Sequence, residues 1–536
     1  MKKLSIAFLF CFFYWSNSIA QSSSVSHVID VSDAILDQDN GSVAISRADK
    51  NVIVIGAASD FADMAANGML AFYTADRGAT WQSSRLPLPA STDVFAWGAP
   101  SVISDDNGTF YYAYLTNDGA DSAGHIAVAS STNGGKTWVN AAPVSVASTQ
   151  YGFPDMPSIW IDRSATSTKN GRIYCAWDQF YSADSSQFKG AYIAWSDDKC
   201  KHWSTAKFLG PCDNYVEVRT GKNGEVFVSS SDSIGLSHQL FISKDFGTSF
   251  GLPSDIAGFT SYPTYANDTA LTILKGITGF AAFPYLSVDV DLASNRIHAV
   301  YGDYEGDAAS LYYRYSDNVG ATWSAAIGIS DTSSSDRFDP WVSVDQKTHE
   351  AYLFFYSSES DANNQFVAPY RQRLRDSSKE RVSTPYNPLV VESVGGSSPY
   401  IGDHTASDAF DSVYVGVWTQ NRSGHNDGDV YAYISSPKGK SAVPVLVHSS
   451  TLWLSPVYPN PTSNHSTSIR YYLPEATDVS FDLFDISGSN LSHLADSHHD
   501  EGSYSQQLQL GGIAPGTYII RLSTSDGQLS QKVIVY

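Results

Sequence analysis

Cysteine is scarce in this chain. Its 536 residues hold four, with no CxxC pair and no clustered histidines, so a zinc centre is not expected. Cys200 and Cys212 are close enough for a disulfide in an oxidising compartment, which spacing alone leaves open. Cys175 reads as a buried small apolar residue. Positive charge is also short: 33 Lys and Arg stand against 55 Asp and Glu, for a formal charge of −22. Such a surface repels phosphate backbones, so nucleic acid is excluded as a partner class. No segment carries a long helical period, and one long apolar run occurs, at the start. "MKKLSIAFLFCFFYWSNSIA" has two lysines, an apolar stretch and a small-residue ending. That is the layout of a secretory signal peptide cleaved after Ala20, leaving a mature chain from Gln21 with no membrane span.

What the chain does have is repetition. "TADRGATW" (74–81), "STNGGKTW" (131–138), "SDDKCKHW" (196–203), "SKDFGTSF" (243–250) and "SDNVGATW" (316–323) share one pattern. Their final aromatics lie 47 to 73 residues apart, the span of one four-stranded unit. Proline-led segments recur ahead of the loops: "PSVISD" (100–105), "PSIWID" (157–162), "PYLSVD" (284–289), "PWVSVD" (340–345) and a divergent "PYIGDH" (399–404). Each precedes a Gly or Asn turn and a run rich in Val, Ile, Tyr and Trp, so the pattern reads strand, turn, strand. "SVAISRADKNVIVIGAAS" (42–59) and "YVEVRTGKNGEVFVSS" (215–230) fit the same slot more weakly. The count is seven units, with six as the alternative, and the fold class is all-β. The last unit lacks a fourth strand, which "SVSHVIDVS" (24–32) can supply to close a ring.

The loop pattern S/T-x-D/N-x-G-x-T-W resembles the Asp-box, the bacterial neuraminidase repeat of sialidases and other secreted β-propellers. The resemblance implies an Asp-box β-propeller over residues 21–448. Asp76, Asn133, Asp198, Asp245 and Asn318 then shape turns, and Trp81, Trp138, Trp203, Phe250 and Trp323 pack between sheets. In that family these loops lie away from the active site. Sialidase chemistry needs three arginines, a Tyr/Glu pair and an acidic acid/base residue. The family's Arg-Ile-Pro motif is absent here, so a true sialidase is not expected. Sequence names no catalytic residue. If the proline-led strands are innermost, the channel mouth collects Trp97, Asp155, Glu217, Arg219, Arg337, Asp339, Asp403 and His404 as candidate ligand contacts. The segments "DRFDPWVSVDQKTHEAYLFFY" and "SPYIGDHTASDAFDSVYVGVWTQNR" resemble secreted Asp-box proteins of unestablished activity. No cofactor is required. Acidic "SVDVD" (287–291) and "NDGD" (426–429) are candidates for structural Ca2+, although neither has EF-hand spacing.

From about Leu454 the text changes to "SPVYPNPTSNHSTSIRYYLPEATDVSFDLFDISG" and, at the end, "GTYIIRL" and "KVIVY". These features resemble the type A C-terminal sorting domain of the type IX secretion system. A small Ig-like β-sandwich over 449–536 is therefore expected. The resemblance implies passage through the periplasm to the medium or the outer cell surface, with the type IX machinery as a partner. An extracellular glycan or surface polymer is the expected ligand of the propeller, bound or processed there. The competing expectation is a noncatalytic adhesion or scaffold propeller.

Overall fold

The computed structural model describes residues 26–31, 38–59, 69–88, 95–117, 124–140, 143–144, 154–180, 189–212, 214–232, 236–262, 264–265, 268–272, 274, 280, 282–329, 335–388, 401–402, 405–421, 428–435, 452–454, 457, 462, 466–473, 476–499, 502–525 and 527–536. The expected leader, Asp403 and His404 lie outside them. Every assigned element is a β-strand.

Seven four-stranded antiparallel sheets occupy residues 26–435. Their first strands, in chain order, are Gln38–Ile45, Phe95–Ser104, Pro154–Ile161, Asn214–Thr220, Leu286–Asp291, Arg337–Asp345 and Ala406–Phe410. In the seventh sheet the fourth strand is Ser26–Asp30, which pairs with Gly428–Ser435 from the other end of this region. The expected N-terminal closure is therefore present.

Alternation along a strand explains why the sheets stack. Successive side chains point to opposite faces, so the second strand of the first sheet sends Ile53 and Ile55 one way and Val54 the other. Ile53 and Ile55 join a core with Val415, Val417 and Ile434 of the seventh sheet. Val54 joins Val102, Tyr112 and Ala127 of the second. Similar cores link sheets two and three, three and four, four and five, five and six, and six and seven. The set is cyclic. Each sheet therefore packs on both faces, hence the near-continuous apolar runs of its inner strands.

The repeated loops join third to fourth strands in the first five sheets and share one bonding scheme. In the first, the Thr74 hydroxyl donates to Asp76 and accepts the Gly78 amide, while the Asp76 carboxylate accepts the Thr80 amide and hydroxyl. Asn133, Asp198, Asp245 and Asn318 take the same role. The closing aromatic does more than secure its own sheet. Trp138 donates to Ser84, and Trp323 to Ser254, each on the fourth strand of the preceding sheet. The glycine must be small for the same reason: at Gly135, φ is +87° and a Cβ would stand 2.9 Å from Val54. In the third loop Cys200 holds this left-handed place, at φ +63°.

One open question closes and two expectations need correction. Cys175, Cys200 and Cys212 are all buried, with Cys200 in the core between sheets two and three and Cys212 in the next, so the disulfide that spacing left open is not formed. In the fifth sheet the matching register places Ser287 opposite Val300 and, in the sixth, Trp341 opposite Phe354. Pro284 therefore falls two residues ahead of the place that Pro340 holds. In the seventh, the first strand starts at Ala406, beyond the "PYIGDH" segment that was expected to form it.

The C-terminal part has a three-stranded and a four-stranded sheet. Both contribute to one core, which includes Ile469, Tyr471, Phe481, Leu508, Ile520 and Val533.

Candidate functional site

The seven first strands surround a central channel, and a collar of side chains ties each to the next. Ser42 accepts the Val102 amide (3.0 Å), Ser101 that of Ile159 (3.1 Å), Ser158 that of Val218 (3.2 Å), and Ser287 that of Val342 (3.0 Å). Glu217 replaces serine in the fourth sheet: Oε2 accepts the Val288 amide at 2.8 Å and Oε1 the Ser287 hydroxyl at 3.2 Å. Trp341 replaces it in the sixth, and its indole donates to the Ser407 carbonyl. Asp408 of the seventh sheet accepts the Ile45 amide of the first at 2.7 Å, completing the circle.

Next to the collar lies a cavity of about 40 Å3, lined by Arg47, Trp160, Arg163, Arg219, Asp289, Trp341 and Asp408 among others. Arg47 grips Asp408 with two bonds, of 2.8 and 2.7 Å. Arg219 stands 3.6 Å from Glu217 and 3.5 Å from Asp289, with its guanidinium over the rings of Trp160 (4.3 Å) and Trp341 (5.7 Å). Arg163 also covers Trp160, donates to the Ser104 carbonyl and approaches Asp106 at 3.9 Å. Stacking on indole suits arginine, whose flat, weakly hydrated cation tolerates burial.

Burial dominates the titration of these groups. It pushes Glu217 up to about 7 and Asp289 to about 6, against the opposing pull of Arg219. It also lowers Arg163 to about 9, helped by the charge of Arg47. Asp408 goes the other way: burial works to raise it, but the charge and bonds of Arg47 outweigh this and hold it below the usual carboxylate range.

At the proline end of the channel, bulges in the first strands of sheets two, three, four and six shift the register and put a left-handed residue two places before the collar residue. These are Ala99 (φ +47°), Met156 (+47°), Tyr215 (+55°) and Asp339 (+50°). Left-handed backbone costs an L-residue roughly 1 kcal/mol, and bulges re-aim side chains. Ala99, Met156, Tyr215 and Trp341 line a small cleft there, of about 10 Å3, with Pro100 and Pro157. The Tyr215 ring lies 5.4 Å from Tyr285 and 6.2 Å from Trp341. Trp341 lines both cleft and cavity, and so stands between them.

Of the expected contacts, Glu217 and Arg219 come together, inside the channel. Asp155 stands beside the third bulge, accepting the Met156 amide. Trp97 lies opposite Leu115 near the second. Arg337 is buried away from the cavity, 3.2 Å from Glu359, and Asp339 lies in the bulge of the sixth sheet, its carbonyl accepting from Thr405. Sequence reading missed Arg47, Arg163, Asp289 and Asp408. The signal was present in "SVAISR" and "SIWIDR", where arginine follows the collar serine by five residues in both. For Asp289 the two-residue misregister hid its inward place. Asp289 and Asp291, considered for Ca2+, are engaged by the protein: Asp289 accepts the Val290 and Val344 amides, and Asp291 binds the Ser294 hydroxyl and His349. Among the described residues no group of three or more His, Cys, Asp or Glu forms a metal cage.

Three arginines thus converge, as a carboxylate clamp requires, but each already faces one or more of the protein's own carboxylates. No tyrosine lines the described cavity, and its volume holds a few waters at roughly 10–15 Å3 each, not a sugar ring.

The C-terminal segment is where a known family enters. Residues 456–536 match the secretion system C-terminal sorting domain. That tail marks a chain handled by the type IX machinery and delivered outside the cell or to its outer surface. Among the described residues no helix is long and apolar enough to cross a membrane. No curated protein matches the chain. Similar solved structures include a protein of unknown function from Dyadobacter fermentans (13% identity, TM-score 0.42, covering 76% of this chain and 97% of that one). Others are the Penicillium chrysogenum alpha-L-arabinanase complexed with arabinobiose (13%, 0.41, 63% and 92%) and the NanB sialidase from Streptococcus pneumoniae (10%, 0.39, 72% and 83%). Likeness this low transfers no activity.

Proposed function

We propose that residues 21–448 form an exported seven-bladed Asp-box β-propeller that binds extracellular glycans at the proline end of its channel. Residues 1–20 are the export leader, and 449–536 an Ig-like sorting sandwich that is removed or used for attachment. The observation that carries the reading is the grouping of Met156, Tyr215 and Trp341 around the small cleft, presented by bulged strands, across which a glycan would lie rather than enter. Aromatic faces beside apolar side chains suit the C–H faces of sugar rings. Binding is favoured over cleavage because each channel carboxylate is committed to an amide, a hydroxyl or a guanidinium. Glycoside hydrolysis would need two carboxyl groups free to reach a sugar.

A glycan array on the purified chain, followed by product analysis of every retained glycan, tests this. Retention without new reducing or unsaturated ends is expected. Turnover of a retained glycan would replace binding by catalysis as the function, and retention of none would remove the glycan reading.

A further inference from the structure

The channel cavity has donors without an acceptor, while every oxygen of its carboxylates already accepts at least one hydrogen bond. All six oxygens of its three carboxylates accept hydrogen bonds: both of Asp408 from Arg47, with Ile45 and Ala409 amides; those of Glu217 from Ser287 and Val288; those of Asp289 from Val290 and Val344. The guanidinium Nε–H groups of Arg163 and Arg219 are buried and have no hydrogen-bond partner. Arg219 is the more enclosed, its side chain 4% exposed, and Asp289 beside it sits at 3.5 Å. Leaving such buried charged donors unmet is costly. Arg47, Arg163 and Arg219 belong to sheets one, three and four, so anything they hold together also ties the ring across its axis.

We propose that the channel is a binding site for one small inorganic anion of halide size, held by Arg163 and Arg219 with Arg47 nearby. The cavity of about 40 Å3 admits a halide with little or no accompanying water and excludes a sugar acid. The collar position of Trp341, between cavity and mouth cleft, keeps this site separate from the proposed glycan site, so either reading can fail alone. Three positive groups face the anion, with Asp289, Glu217 and Asp408 as the negative ones and exposed Asp106 near Arg163. The nearest carboxylate oxygens to these donors, Asp289 at 3.5 Å from Arg219 Nε and Asp106 at 3.9 Å from Arg163 Nε, make no hydrogen bond to them, so an acceptor is still wanted there.

Bromide is the direct probe. Crystals of the chain grown or soaked in bromide should give an anomalous peak in the channel within hydrogen-bond reach of the Arg163 and Arg219 Nε atoms. In solution, chloride should raise the unfolding temperature saturably relative to gluconate at equal ionic strength, and Arg163→Gln should weaken that apparent affinity roughly tenfold. Arg163→Gln is preferred to an Arg219 substitution, which would strand Glu217 and Asp289 and risk unfolding. Water alone in the channel with no anomalous peak overturns the proposal, as does a chloride effect that never saturates or is unchanged in Arg163→Gln.

Discussion

Glu217 concentrates the opposing forces of this molecule in one side chain. Its carboxylate supplies a collar bond that serine supplies elsewhere, but burial raises its affinity for a proton to about pH 7 from an ordinary 4.5. The folded state then binds the proton more tightly than the unfolded chain. Stability must fall as pH rises from about 4.5 to 7 and level off above it, by on the order of 3 kcal/mol from this group. Asp289, raised to about 6, acts in the same direction over a lower window. Glu217→Gln keeps an acceptor for the Val288 amide and removes the charge, so it should flatten the decline. Urea midpoints at pH 5 and pH 8 check this: the loss between them is expected to be clearly smaller in the variant. Sequence alone placed Glu217 and Arg219 together, because they alternate on one strand. Arg47 and Asp408 were beyond it, being brought together across 361 positions by ring closure.

Among elements, the repeated loops were the most legible, since every bond in their scheme joins groups no more than four residues apart. Their consequence for the neighbouring sheet was not, because it depends on where the fourth strand of a different unit runs. Asp76 accepts from the Thr80 amide and hydroxyl. Asp76→Ala should therefore cost about 1 kcal/mol, whereas Asp76→Asn, which copies Asn133 and Asn318, should be nearly silent. Thermal unfolding of both variants separates the two outcomes. The first strands were harder to read. Proline marks the bulge in sheets two, three and six, but the fifth carries its proline two residues early, and a period-two pattern has no internal mark of such a slip. A two-residue slip keeps the same side chains facing inward, so apolar alternation stayed consistent while the channel residues were misassigned.

At the scale of the whole molecule, the ring is held by a strand from the far end of the chain. Ile29 on Ser26–Asp30 packs into the core shared by the seventh and first sheets, and Ile327, on the matching outer strand of the fifth, is 48% exposed. Ile29→Asp should destabilise by about 2 kcal/mol or more and Ile327→Asp by less than about 0.5. Equal effects, measured by denaturant unfolding, would mean that closure contributes little. The ring and the sorting tail were visible in the sequence as repeats and ordered motifs. The ligand was not, since the mouth is assembled from several sheets and its aromatic groups are ordinary residues in an aromatic-rich chain. Calorimetric titration of an array-selected glycan into the chain and into Tyr215→Ala is the most direct test of the binding claim. The account predicts binding without product formation and at least a tenfold loss of affinity in Tyr215→Ala, the cost of one lost stacking contact. Unchanged affinity in that variant, with its fold intact, would contradict it.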